Sequence, residues 1–374
     1  MNKKLVAVAV AGLLAAPLAA QAQTANVTLY GRLNLTLEGV SGSQTQAAGT
    51  SAPGQNVNRT VYRVSSNSSR LGVRGSESLG GGLSAIFQIE SSINGDSGGG
   101  TLAGRETFVG LQGTWGTVKI GNFLAPYDDI HPIFGNVPTL TTSILSTAAL
   151  WAQGSQSKDN GGFDARLGNS IRYDSPRVGG FLGSLQISEF DTSNSTLAQQ
   201  QRHAYVLSTG GFYANGPFQA GIAYESNTKV RCVTCDDWAF SVAANWNFGV
   251  VKVAGVYERL DYDVTGGSLK RNFWGASLTA PVGPGEIYAF YGMANDGSGP
   301  TGARVGQLNA GSETGASQWE ISYTYALSKR TLSYAGFVQT RNDQYANYNF
   351  NINPYAVAAG NNASGFVVGL VHFF

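Results

Sequence analysis

Along much of the chain, apolar and polar residues alternate with a period of two. From Trp238 onward, Phe240, Val242, Ala244, Trp246 and Phe248 share its parity, while Ala239, Ser241, Ala243, Asn245 and Asn247 hold the other. The same alternation runs through Trp319, Ile321, Tyr323, Tyr325 and Leu327, and through Phe218, Ala220, Ile222 and Tyr224. Successive side chains of a strand point to opposite faces, so each segment predicts a strand with one apolar face and one small or polar face. Turn residues break the pattern briefly at Leu79 to Gly82, Thr114 to Gly116, Pro176 to Gly180, Ala214 to Pro217, Pro281 to Gly285 and Ser328 to Lys329, and long polar stretches lie between these breaks. The pattern predicts roughly sixteen strands of about ten residues, joined alternately by tight turns and long loops. No helix of useful length is expected, apart from a turn inside the longest loop.

Strands in soluble sandwiches are usually about five or six residues long. Strands of about ten, aromatic toward both ends and polar on one face, fit a barrel whose outside meets lipid and whose inside is wet. In hydrocarbon every main-chain polar group needs a partner, so such a sheet must close. The expected fold is therefore all-β, a roughly sixteen-stranded antiparallel transmembrane β-barrel wide enough to leave an aqueous channel. A wide wet hole through a membrane conducts solutes. The last segment fits a closing strand, with Phe366, Val368, Leu370 and Phe374 on one apolar face.

Composition narrows the class further. Gly is 50 of 374 residues and charged residues are 13 %, against about 7 % and about 25 % in ordinary proteins. Eighteen Phe, 17 Tyr and 6 Trp exclude a disordered chain. Beyond a short N-terminal run, no apolar stretch is long enough for a membrane-spanning helix. That run reads as a secretory signal peptide over residues 1–22: Lys3 and Lys4 precede the apolar Leu5 to Ala16, and Ala20-Gln21-Ala22 offers a small-residue cleavage site. A single barrel domain over residues 23–374 is expected to follow. The formal net charge of +1 gives no general attraction to nucleic acid, so electrostatic function must be local.

Export to an oxidising compartment lets Cys232 and Cys235 pair, and a small loop-clamping disulfide is favoured over two free thiols. A zinc site would need two more ligands, and His131, His203 and His372 are remote in sequence, so neither metal nor cofactor is expected. None of these histidines accompanies a nucleophile motif, and Ser65-Ser-Asn-Ser-Ser69 lacks the G-x-S-x-G setting, so no catalytic residues are expected.

Five segments in this order resemble the general diffusion porins of Gram-negative outer membranes, most closely the trimeric type of beta-proteobacteria. They are Val27-Thr-Leu-Tyr-Gly-Arg32, Ser69-Arg-Leu-Gly-Val-Arg-Gly-Ser-Glu-Ser-Leu-Gly-Gly-Gly-Leu83, Phe108-Val-Gly-Leu-Gln-Gly-Thr-Trp-Gly-Thr-Val-Lys-Ile-Gly121, Asn169-Ser-Ile-Arg-Tyr-Asp-Ser-Pro176 and Val368-Gly-Leu-Val-His-Phe-Phe374. The resemblance implies a homotrimeric outer-membrane barrel in contact with lipid and lipopolysaccharide, passing small ions and hydrophilic solutes by passive diffusion. It also implies that Phe374 is the signal read by the barrel assembly machinery. A substrate-specific channel for sugars or organic acids, or an adhesin, is the alternative; a specific channel would show saturable flux.

The longest break, 125–165, is similar to the family's third loop, which folds into the barrel and narrows it. Pro132-Ile133-Phe134-Gly135 resembles the family's Pro-Glu-Phe-Gly, with Ile133 in place of the acid. Opposite this loop the family sets a basic wall, and strand parity turns Arg32, Arg70, Arg74, Lys119 and Arg172 inward here, with Asn122 where many relatives carry another Arg. The loop's acids, Asp128, Asp129, Asp159 and Asp164, lie near its ends, so the wall is expected to outweigh the loop and favour anions.

Overall fold

The computed structural model describes residues 26–45, 56–140, 142–154, 158–189 and 203–374. The expected signal peptide lies outside the described residues, as does the side chain of Asp159. Antiparallel strands follow one another in chain order: β1 (Asn26–Thr45), β2 (Asn56–Ser66 and Arg70–Gly80), β3 (Leu83–Ser92), β4 (Thr107–Gly113), β5 (Gly116–Leu124), β6 (Arg166–Asp174), β7 (Phe181–Glu189) and β8 (Tyr205–Asn215). The series continues with β9 (Phe218–Thr228), β10 (Asp236–Asn247), β11 (Lys252–Val264), β12 (Gly267–Val282), β13 (Gly285–Ala294), β14 (Ala316–Ala326), β15 (Thr331–Asn342) and β16 (Ala363–Phe373). The two segments of β2 both pair with β1, Leu35 opposite Ser66 and Arg32 opposite Arg70, so they form one strand broken at 67–69. Each strand pairs with the next, and β16 returns to β1 with Leu35 opposite Leu370. The result is a closed sixteen-stranded antiparallel barrel.

Closure has a sequence-level reason at the seam. Phe374 exchanges main-chain hydrogen bonds with Gly31, at 3.0 and 3.1 Å. Its ring covers Gly31, where a Cβ would stand 2.5 Å from Phe374 Cζ. Glycine thus makes room for the aromatic ring that seals the last strand against the first.

Parity fixes which face meets which medium. Outward residues such as Leu29, Leu37, Ile171 and Val368 are 63, 64, 59 and 54 % exposed, whereas the inward Thr36, Gln186, Ser208 and Gln318 are at most 2 % exposed. This inverts the arrangement of a soluble protein and suits hydrocarbon outside and polar groups within. Aromatic pairs ring the outer face near the turn end, as in Trp115–Tyr173, Phe181–Tyr213 and Phe218–Trp246. Tyr224–Trp238 stands near the loop end, and Tyr257–Trp274 lies at mid-strand.

Two details depart from the simple pattern. Strand lengths run from 7 residues in β4 to 20 in β1 and two segments of 11 in β2. At the loop end, where long connections were expected throughout, β11 and β12 are joined by the two residues 265–266, because Gly266 at φ +88° and Gly267 at φ +144° allow a tight turn.

Removing Phe374 deletes both main-chain bonds to Gly31 together with the ring that covers it. The truncated protein is expected to give much less folded barrel than Phe373→Ala, read as the heat-modifiable band in unboiled electrophoresis. A Gly31→Val substitution should give the same loss.

Candidate functional site

Residues 125–165 leave the wall after β5 and do not return until β6. They start with a short 3-10 turn, Asp128–Ile130, followed by helix α1, His131–Phe134, with Pro132 in its first turn, where a missing N–H costs nothing. An irregular chain away from water needs partners for its carbonyls. Inward-facing side chains of the wall supply them. Asn245 donates to the carbonyl of Ile133 at 2.7 Å, Ser277 and Tyr288 to that of Phe134 at 2.8 and 2.6 Å, and Gln318 to that of Ser146 at 3.0 Å. From the opposite side Asn34 donates to the carbonyl of Thr142 at 2.9 Å.

The central anchor is Glu258 on β11, fully buried. Its Oε1 accepts from the Tyr127 hydroxyl at 2.7 Å and the Ala152 N–H at 2.8 Å, and its Oε2 from Arg271 Nη2 at 3.2 Å. Around this knot Ile130, Phe134, Leu150, Trp151 and Phe163 pack on Ala223, Ala239, Ala243, Val256 and Phe290 of the wall. Small inward residues on β9 and β10 leave space for the loop's rings.

The cations fall into two groups. Arg32 and Arg70 line a cavity of about 190 Å³ together with Arg105, Arg166, Asp128 and His131. Glu90 on β3 bridges two of them, 2.6 Å from Arg105 Nε and 3.3 Å from Arg70 Nη1, and accepts from the Tyr30 hydroxyl at 3.0 Å. In the second group Arg172 sits 2.6 Å from Asp129 and 2.8 Å from Asp174, and Lys119 lies 3.3 Å from the other oxygen of Asp174. Arg74 belongs to neither group; its guanidinium lies 4.9 Å from the centre of the Tyr30 ring. Asn122, in the place of a further Arg, donates to the Arg105 carbonyl at 2.8 Å.

Sequence reasoning missed Arg105, Arg166 and Glu90. Glu90, beside the outward Ile89, was accessible to the same argument; Arg166 was not, because the register of β6 shifts between Ser170 and Leu167 and turns Leu167 inward. Arg105 lies in an external loop, where parity says nothing. Two of the three histidines are held by hydroxyls: His131 Nε2 bonds Thr147 Oγ1 at 2.7 Å, and His372 Nδ1 bonds Thr331 Oγ1 at 2.9 Å. Cys232 and Cys235 are joined by a disulfide in the loop after β9.

Burial shapes the loop's titration. It lowers the His131 pKa to about 3, so the ring is neutral. It raises Asp164 well above the usual carboxylate range, and Asp128 adds to this. Burial and then Asp129 raise Asp128 to about 7, against the opposing pull of Arg166.

The sequence pattern described as Gram-negative porin matches residues 7–345, and the chain belongs to that family. It is a water-filled outer-membrane channel through which small hydrophilic solutes diffuse passively. Over 385 aligned residues, covering all of both chains, it is 31 % identical to outer membrane porin protein 32 of Delftia acidovorans. It is 26 % identical to an outer membrane porin protein of Bordetella pertussis, over 85 % of this chain and 89 % of that one. The solved structure of the anion-selective porin from Comamonas acidovorans matches at a TM-score of 0.72 and 25 % identity, covering 94 % of this chain and 100 % of that one. OmpT of Vibrio cholerae, solved in a trimer form, shares the fold at a TM-score of 0.64 and 16 % identity, over 94 % of this chain and 99 % of that one.

Two outcomes follow from this geometry. Glu258→Ala strands Arg271 without its buried partner, a loss on the order of 3–5 kcal/mol, and limited proteolysis of the folded barrel should then cut within 125–165 where the wild type resists. Because Asp128 is neutral below its pKa of about 7 and negative above it, the ratio of chloride to potassium permeability should rise as pH falls through that value. An Asp128→Asn channel should lack the step.

Proposed function

We propose that the loop 125–165 is the constriction of this channel and that the pore prefers anions. The observation that carries the reading is the cavity lined by Arg32, Arg70, Arg105 and Arg166, whose lining holds one carboxylate, Asp128. The second group is balanced, with Arg172 and Lys119 set against Asp129 and Asp174. The excess positive charge therefore resides in the first group, trimmed by Glu90. The relative from Comamonas acidovorans, titled an anion-selective porin, supports the same sign.

A unit charge about 5 Å from an ion in water is worth roughly 0.8 kcal/mol, or about four-fold, before screening over a Debye length of about 8 Å. The preference is consequently several-fold and salt-dependent, and cations still pass. The trimer form of a related fold supports a homotrimer. The apolar outer face supports contact with lipid and lipopolysaccharide, and the seam contacts of Phe374 with Gly31 suit its reading as the assembly signal.

The test is the zero-current potential in a potassium chloride gradient across a planar bilayer. Chloride should move more readily than potassium, and the bias should shrink as ionic strength rises. Arg70→Gln should lower the preference, Glu90→Gln should raise it, and Ile133→Glu should lower it, each by at most about four-fold. A cation-selective wild-type pore overturns the anion reading, and unchanged selectivity in Ile133→Glu overturns the constriction reading.

A further inference from the structure

We propose that the turn end of the lumen holds a subsite for small aromatic carboxylates, an amphipathic cleft with a carbon wall on one side and a spare guanidinium on the other. This subsite rests on the constriction reading, because two of its residues, Asp129 and Ile133, belong to the loop. The cleft has a volume of about 430 Å³. That is far more than an inorganic anion fills and lies within the roughly 300–1,000 Å³ typical of small-molecule sites.

Its carbon wall is local. Leu182 on β7 and Phe212 on β8 are register partners, and Phe212 faces Gly221 of β9 across the sheet. Gly221 leaves space for Ile133, whose Cδ1 would stand 2.7 Å from a Cβ there. Farther along the same inward faces the residues are Ser184, Gln186, Ser188 and Ser208. On β7 the inward face thus changes from hydroxyls and an amide to carbon only at Leu182, and on β8 Phe212 stands beside it. Leu182 and Phe212 remain partly exposed in a wet lumen, where an apolar ligand surface would take the place of water.

The charged side selects the sign of the ligand. All three nitrogens of Arg172 are engaged, by Asp174, by the Leu124 carbonyl and by Asp129. Asp129 and Asp174 are in turn held by Arg172 and Lys119. Arg177 donates to the Gly180 carbonyl at 2.7 Å, and among the described residues it has no carboxylate partner. The guanidinium left to meet a ligand is thus that of Arg177, and no unpaired acid in the cleft waits for an amine. A ring bearing one carboxylate satisfies both sides: the ring lies on Phe212 and Leu182, and the carboxylate meets Arg177.

The test measures block of chloride current in planar bilayers by benzoate, acetate and the uncharged benzyl alcohol. Benzoate should block saturably, at a concentration at least about ten-fold below acetate, the size expected for removing a ring from water. Benzyl alcohol should not block saturably. Phe212→Ser and, separately, Leu182→Thr should bring benzoate close to acetate, and Arg177→Gln should weaken benzoate several-fold. Equal block by benzoate and acetate in the wild type, or an unchanged ratio in both Phe212→Ser and Leu182→Thr, overturns the subsite. The zero-current potential of Ile133→Glu, recorded without organic acid, tests the constriction independently, so the two readings fail on different measurements.

Discussion

Every main-chain polar group that leaves water needs a partner, and this constraint organises the whole molecule. In the wall it is met by closure: β16 returns to β1, and no edge is left for hydrocarbon to meet. Inside the wall the same constraint acts on a loop that has no strand to pair with. Its carbonyls are met by amides and hydroxyls on the inward parity, Asn245, Ser277, Tyr288 and Gln318 among them. The inward face is polar for two reasons at once, since it borders a wet lumen and also serves as the hydrogen-bonding substitute for a sheet that the loop never forms.

The loop's apolar residues solve a second problem in the same place. Trp151, Phe134 and Phe163 cannot remain in a water-filled lumen without cost, and they gather against the small residues of β9 and β10. The lumen is therefore unequal. The loop packs on the side of β9 to β14, where Arg271 is buried against Glu258, and the cations of the two groups stand on the side of β1 to β6. The carboxylates that touch these arginines, Glu90, Asp129 and Asp174, reduce the charge that they present.

Much of the fold was legible in the sequence because the signal is local. Parity alone separates Leu29 from Arg32 and Ile171 from Arg172, and turn residues mark where each hairpin reverses. The inward aim of Arg32, Arg70 and Arg172 followed from the same parity. Their charge balance did not, because Glu90 reaches Arg105 across a loop, and Asp129 reaches Arg172 from a segment some forty residues away in sequence. Such pairs depend on where the loop lies, and no period in the chain encodes that. Ile133 was visible as a departure from the family pattern, but its seat beside Gly221 required the three-dimensional arrangement.

The Glu258–Arg271 knot holds the loop from the half of the barrel opposite the arginine cluster. This knot thus holds the loop through residues outside the cavity that Arg32, Arg70, Arg105 and Arg166 line. A change of charge among Arg32, Arg70, Arg105 and Arg166 leaves the hydrogen bonds of Glu258 in place, so an engineer could vary that cavity while keeping Glu258 and Arg271 as fixed scaffold. Such a division lets the lining of that cavity change without a change of frame.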